Sequence, residues 1–531
     1  MNEKPLWQQK IDVESVKAGD LDPDLARLER EGYETLTGEE FYRLKTWGVC
    51  SQRTPGLHMI RIRVPGGAIA AAQLRGLAAV SAGNADGTVH ITTRQNAELH
   101  SVPSRKVRGT LEGIWALGLQ TRSACGHAVR NIVGCSLAGI CADETLDIRP
   151  TVKALHDFTI ARASHYNARL PRRINVYVAG CATCQGHAQI NDLGFVATRR
   201  GGEPGFQVWC AGSLGSSPRL AHLLFGFVPP EEVLAVTEAV MDVYCEHGFR
   251  DRSAKARLKF LVEEWGIDRF ADAVVARLHE IRATTRVARN GLLPILGPAR
   301  RPQGGHRGVF VQRQAGYVRV EARVRLGDLT GEQMEVLSSL ADSHADGSVH
   351  LTREQNAELH WIRHDDAGEV TGALADAGLF PRGAGGLVDV QVCAGTEWCV
   401  WGIGDSRGLA RTIEESLADV VADDPDAEPL RVHISGCSHG CAQHQVADVG
   451  LAAVSVRSDG AAGEGFEIFG GGRLGAEPVI GRRLGKVPLD ESEPEVIGLL
   501  RRYLSAREPN EDVSEFVERT GHLAGAEEVA R

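Results

Sequence analysis

No stretch of this 531-residue chain reaches the length of about 18 apolar residues that a membrane span needs. The opening Met1-Asn2-Glu3-Lys4-Pro5 is polar and lacks the apolar core of a secretory leader. A cytoplasmic protein with no membrane association is therefore expected. There is no basic excess either. The formal charge is −10, which argues against a general nucleic-acid binder. A glycine fingerprint opening a strand–helix unit is also missing, so no internal nicotinamide or flavin domain is expected. In a reducing compartment the twelve cysteines read as ligands or free thiols, not as a disulfide frame.

The cysteines are grouped. Cys393 and Cys399 stand in Val392-Cys393-Ala394-Gly395-Thr396-Glu397-Trp398-Cys399, and Cys437 and Cys441 in Ser435-Gly436-Cys437-Ser438-His439-Gly440-Cys441. Two short loops, each with a pair of thiols, can supply the four thiolates of a cubane iron–sulfur cluster. Zinc is the alternative, although zinc hairpins use tighter pairs or add histidine. Four unrelated buried cysteines are the plain alternative.

The chain is also doubled. Ala85–His100 recurs as Ala345–His360, 260 positions later, with twelve of sixteen residues identical. Gly212-Ser213-Leu214-Gly215 answers Gly472-Arg473-Leu474-Gly475. Cys135 and Cys141 answer Cys393 and Cys399, and Cys181 answers Cys437. This predicts an internally duplicated α+β protein of three domains with pseudo-two-fold symmetry. Residues 1–45 form an N-terminal arm. Half-domains at 46–120 and 306–370 pair, larger modules occupy 121–290 and 385–531, and 291–305 link the halves.

The halves differ where chemistry would sit. Gln185 stands in the register of Cys441, with Cys184 one residue off, so a second cluster on Cys135, Cys141, Cys181 and Cys184 is not expected. Arg94, Arg130 and Arg173 face Glu354, Val388 and Pro429 in the other repeat. One half keeps thiolates and the other cations. Arg61, Arg63, Arg94 and Arg130 flank strand ends and glycine-rich turns. Each alone reads as a surface ion pair, but together they suit a ligand with several carboxylates.

From Phe41 to His522 these motifs resemble the ferredoxin-dependent nitrite and sulfite reductases. The match rests on Arg61-Ile62-Arg63-Val64-Pro65-Gly66-Gly67, Thr92-Thr93-Arg94-Gln95-Asn96, Arg130-Asn131-Ile132-Val133-Gly134, Leu170–Asn175 and the two cysteine loops. The resemblance implies sirohaem coupled to a [4Fe-4S] cluster held by Cys393, Cys399, Cys437 and Cys441. Cys441 would be shared with the sirohaem iron. Arg63, Thr92, Arg94 and Arg130 would touch sirohaem or substrate, and Arg130, Arg173 and Asn175 would line the substrate face.

The implied reaction is six-electron reduction of nitrite to ammonia, with ferredoxin as donor and a monomeric enzyme. Asn175 tilts the choice to nitrite, because sulfite reducers of the family tend to carry lysine there. Sulfite carries more negative charge, which a second ammonium would offset. Sulfite reduction is the alternative, followed by a tetrapyrrole-modifying enzyme of cobalamin synthesis or a non-catalytic carrier. Arg173 stands where the family usually has lysine, and an arginine does not release its proton. His127, His187 and Asp192 are candidate relays but read more simply as structural. The basic run Arg250, Arg252, Lys255, Arg257 and Lys259 could dock an acidic donor, hold carboxylates or form a solvated face. Cys50 and Cys135 neighbour Trp47-Gly48 and Arg130-Asn131, motifs that should face the haem, and are expected either as a close thiol pair or, more simply, as two buried reduced thiols.

Overall fold

The computed structural model describes residues 11–182, 185–282, 284–289, 308–381, 383–458, 461–475 and 477–521. The 291–305 link and Cys184 lie outside them. Four five-stranded sheets carry the architecture. Two belong to the half-domains and two to the larger modules. No helix among the described residues is long and apolar enough to cross a membrane.

The half-domains complete each other. In the first sheet Val49–Ser51, Leu57–Ile62, Ala97–Pro103 and Thr88–Ile91 lie side by side, and the last place is taken by Asp328–Thr330 from the second half. In the second sheet Ala68–Ala70 from the first half pairs with Ser348–Leu351. Each exchanged strand has only three residues. Their apolar side chains enter one shared core, where Ile60, Ile69 and Leu99 meet Val320, Leu329 and Leu359. Leu28, Phe41 and Leu44 of the N-terminal helices join this core, so the arm is packed into the half-domains.

Glutamines of the repeated motif bolt the exchange. Gln95 Nε2 donates to Leu351 O at 3.0 Å, and Gln355 Nε2 donates to Ile91 O at 3.0 Å. Their Oε1 atoms accept from Gly134 N and Val392 N, both at 3.0 Å, which ties each half-domain to a larger module. Gly67 sits beside this crossing at φ +83°, and a Cβ there would lie 2.2 Å from Leu351 O. Gly67→Ala is therefore expected to lower stability by about 1–3 kcal/mol from backbone strain alone, with the clash adding to it. A drop in the thermal unfolding midpoint checks this.

The larger modules share one topology. In the first, Val129–Gly134, Ile174–Ala179 and Leu193–Arg200 run parallel, and Glu203–Cys210 and His222–Val228 add antiparallel. In the second, Gln391–Val392, Val432–Ser435 and Val449–Ser458 run parallel, followed by Ala461–Gly470 and Arg482–Pro488. Strand Ile174–Ala179 is buried at every position but the half-buried Asn175, which is why it reads as an almost unbroken apolar run. The C-terminal helices Leu489–Ala506 and Val513–Thr520 lay Val496, Leu500 and Phe516 on the second module's core.

Candidate active site at the junction of the halves

Both cysteine loops leave the same edge of the second module's sheet. Parallel strands Gln391–Val392 and Val432–Ser435 end immediately before Cys393 and Gly436-Cys437, the end at which open α/β sheets carry their ligands. The loops meet closely, and a Cβ on Gly436 would lie 2.6 Å from Gly395 Cα. The sulfurs collect amide donors. Gly436 N donates to Cys393 Sγ at 3.1 Å and Trp401 N to Cys399 Sγ at 3.4 Å. Such donors stabilise thiolate charge.

The four thiols also feel one another. Burial, then Cys393 and Cys399, push the Cys437 thiol up to about 11. The surrounding protein, then Cys393, Cys437 and Cys399, push Cys441 up further. Thiols that oppose each other's ionisation need a cation among them. No three His, Cys, Asp or Glu side chains among the described residues close tightly enough around one point for a single ion. A cubane places one thiolate on each of its four irons, not several on one ion.

Guanidinium groups gather opposite, from the first half. Arg63 is 1% exposed and gives one nitrogen to Val129 O at 2.7 Å. Arg94 reaches Asn191 Oδ1 at 2.9 Å and Asn131 O at 3.1 Å. Arg130 clasps its own loop through Ala124 O and Gly126 O. The partners named here are neutral oxygens, and the Nε atoms of Arg63, Arg94 and Arg130 are buried without an acceptor. Burial, with Arg130 next, lowers both Arg63 and Arg94 to about 9. Arg257 first, then burial and Arg130, hold Arg173 well below the arginine range. Arg173 finds no hydrogen-bond acceptor among the described residues, and its charge reaches Cys441 and His439. Asn175 Oδ1 is buried and unpartnered. A crowd of buried cations short of anions is the state an added polycarboxylate or small anion would relieve.

Two of the sequence candidates are differently engaged. Arg61 is paired with Glu98 Oε1 at 2.6 Å and also donates to Cys125 Sγ at 3.1 Å. The Thr92 hydroxyl accepts from Arg94 N at 3.3 Å and Asn96 N at 3.1 Å, which shapes the turn that carries Arg94. Thr93, its neighbour, crosses between halves and donates to Cys441 O at 2.9 Å. Sequence reasoning passed over Thr93, although its counterpart in the other repeat is Arg353, the same kind of divergence that singled out Arg94.

The halves are locked around this junction. Gln189 Nε2 donates to Gly475 O at 2.8 Å and Gln189 Oε1 accepts from Gly475 N at 3.0 Å. Its counterpart Gln445 donates to Gly215 O at 3.1 Å. The loop of Cys399 is held by Arg53 N donating to Trp398 O at 3.1 Å and by His100 stacked on Trp398 at 3.9 Å.

The basic run resolves into separate roles. Arg257 is buried and makes a two-pronged ion pair with Asp192, at 2.8 and 2.7 Å through one nitrogen, with Nε at 3.2 Å. Lys259 is buried and donates to Ser217 O at 2.5 Å, and Arg250 binds Glu14 at 2.6 Å. Arg250, Arg252 and Lys255 of the run are exposed while Arg257 and Lys259 are buried, so it is not one solvated face. Sequence spacing could not separate them, because the run lies in a turn and a short helix with no single period. Asp192 is the relay candidate drawn into this pair. His127 accepts from Arg172 at 2.9 Å, and burial keeps both His127 and His187 neutral. Cys50 does not meet Cys135. Its thiol hydrogen-bonds that of Cys125, while Cys135 follows the far end of strand Val129–Gly134 beside Cys141.

Residues 125–281 and 383–529 match the nitrite and sulphite reductase 4Fe-4S domain. Residues 51–114 and 310–377 match the nitrite/sulfite reductase ferredoxin-like half domain. The chain is 33% identical to a ferredoxin–nitrite reductase of Synechococcus elongatus, over 88% of this chain and 90% of that one. It is 30% identical to a sulfite reductase [ferredoxin] 2 of Mycolicibacterium paratuberculosis, covering 92% and 90%. The solved structure of the Mycobacterium tuberculosis NirA protein superposes with a TM-score of 0.87 at 27% identity, covering 97% of this chain and 99% of that one. An internal doubling, matched half by half and over nearly its whole length, places this oxidoreductase in the nitrite and sulphite reductase family.

Proposed function

We infer that the chain reduces nitrite to ammonia by six electrons, at a sirohaem coupled to a [4Fe-4S] cluster. The observation that carries this reading is the meeting of four thiols with a crowd of buried guanidiniums across one junction. In it, Cys393, Cys399, Cys437 and Cys441 hold the cluster, and Cys441 feels the charge of Arg173. Arg63 and Arg94 receive sirohaem carboxylates, with Arg61 contributing its exposed edge and Thr92 holding the turn. When bound, the coupled iron centre would supply the electrons for reducing the anion. The chain's part is electrostatic. Arg130 and Arg173 attract the anion and stabilise oxygen as it leaves as water. The Asn175 side chain adds polarity beside the arginines without adding charge, and its Oδ1 is buried and unpartnered. Protons come through water, since burial holds His127 and His187 neutral and Asp192 is tied to Arg257.

The relatives named ferredoxin–nitrite reductase support ferredoxin as donor. Both sets of groups lie on one chain, so a monomer suffices. Sulfite is the second substrate, favoured by the named sulfite reductase among the relatives. Steady-state turnover with reduced viologen, nitrite and sulfite in parallel tests the choice. Ammonia from nitrite at the higher kcat/KM supports the reading, and sulfide at the higher value reverses it.

Asn175→Lys would add an ammonium to the crowd around Arg130 and Arg173. It is expected to move the sulfite-to-nitrite ratio of kcat/KM about tenfold toward sulfite, roughly 1.4 kcal/mol. An unmoved ratio would remove residue 175 from the anion site.

A further inference from the structure

A second pair of thiols lies beside the guanidinium crowd and takes no part in the chemistry above. Cys50 is on strand Val49–Ser51, opposite Met59. Cys125 is in the loop that enters strand Val129–Gly134, and is 2% exposed. The loop is pinned on both sides. Ser123 N donates to Thr46 O at 2.7 Å, and the Arg130 guanidinium holds Ala124 O and Gly126 O, one residue either side of Cys125. Arg61 donates to Cys125 Sγ at 3.1 Å, and the Cys50 thiol lies within hydrogen-bond reach of the same sulfur. Lys45 and Glu98 also face the pair.

The surroundings divide one proton unequally. The hydrogen bond from Cys50, then Arg61 and Arg130, pull Cys125 below the ordinary thiol range against its burial. Cys50 is held above that range because it keeps the proton of the hydrogen bond. A thiolate fixed beside a thiol, flanked by guanidiniums, is the arrangement of redox-active cysteines. Cys50 is half-buried and Cys125 buried, so the side nearer solvent is that of Cys50.

We propose that Cys50 and Cys125 are a redox-modified site that closes to a reversible disulfide when the protein meets a peroxide. The Cys125 thiolate attacks one peroxide oxygen, the O–O bond breaks, and sulfenic acid and hydroxide result. The Cys50 thiol then attacks the sulfenic sulfur, forming the S–S bond and releasing water. Two sulfurs lose one electron each and the peroxide gains both. The product is neutral where a thiolate stood, so Arg61 and Arg130 lose an internal counter-anion and the crowd gains one positive charge. The proposal rests on the placement of the two thiols beside Arg61, and its failure would leave the nitrite reading untouched.

The test exposes the full-length holoprotein to stoichiometric hydrogen peroxide, alkylates it under denaturing conditions and maps its peptides by mass spectrometry. The expected major product is a Cys50–Cys125 cross-linked peptide pair, lost on dithiothreitol treatment. In Cys50→Ser, with no resolving thiol, Cys125 is expected to be labelled as a sulfenic acid by dimedone. Both cysteines alkylated after peroxide, Cys125 joined to a different cysteine, or Cys125 unlabelled in Cys50→Ser would each overturn the proposal.

Discussion

Cys441→Ser is expected to fold and yet to retain little iron or acid-labile sulfide, with nitrite turnover down by more than about 100-fold. That is the upper end of what removing a mere outer-sphere partner costs. The argument is chemical first. A serine hydroxyl is a hard and weakly acidic donor, whereas iron–sulfur clusters take soft thiolates. It is also positional. Arg173 reaches Cys441 electrostatically, and the Cys441 carbonyl is anchored by Thr93 from the other half. Losing it uncouples the sulfur side of the junction from the cation side. The substitution is nearly isosteric and the residue is exposed, so the thermal midpoint of the apoprotein should hardly move. Iron and sulfide analysis with viologen turnover reads the result. Full cluster content with normal turnover would remove Cys441 from the centre.

Asp192→Asn is expected to destabilise the apoprotein by about 3–5 kcal/mol, because it leaves the buried Arg257 charge without its partner. Asp192 is fully buried and takes four hydrogen bonds, three from Arg257 and one from Asn175 N at 2.8 Å. Its charge also offsets those of Arg94, Arg173 and Lys259. An asparagine keeps the shape, loses the charge and turns an amide donor toward donors. The loss should be smaller in the holoprotein, where the tetrapyrrole's carboxylates share the task of neutralising the crowd. Urea unfolding of both forms measures the difference. Equal losses in the two forms would place Asp192 outside the electrostatics of the ligand site.

Much of this was readable before any coordinates, because duplication makes a chain its own comparison. The matched Ala85–His100 and Ala345–His360 stretches exposed the symmetry, and the places where they part, such as Arg94 against Glu354, marked the site. The fold class followed from the same repeat. What stayed hidden has a common physical cause, which is contact between residues far apart in the chain. The exchanged strands Ala68–Ala70 and Asp328–Thr330 are too short to show a period. The Asp192–Arg257 pair joins a strand's approach to a loop 65 positions away. A close pair of Cys50 and Cys135, the less simple of the two readings, fails because strand Val129–Gly134 carries Cys135 to its far end and leaves Cys125 at the near one.

The traded strands carry a historical consequence. Two identical chains could build these sheets only as an intertwined homodimer, each lending the other its short edge strand, with two equivalent clefts. Such a dimer must put the same residue in both clefts, so it cannot place thiolates in one and guanidiniums in the other. Fusing the genes broke that constraint. The price of an asymmetric cleft was covalent dependence: neither half, produced by itself, holds a complete edge, and co-expressed halves should recover their sheets only by finding each other.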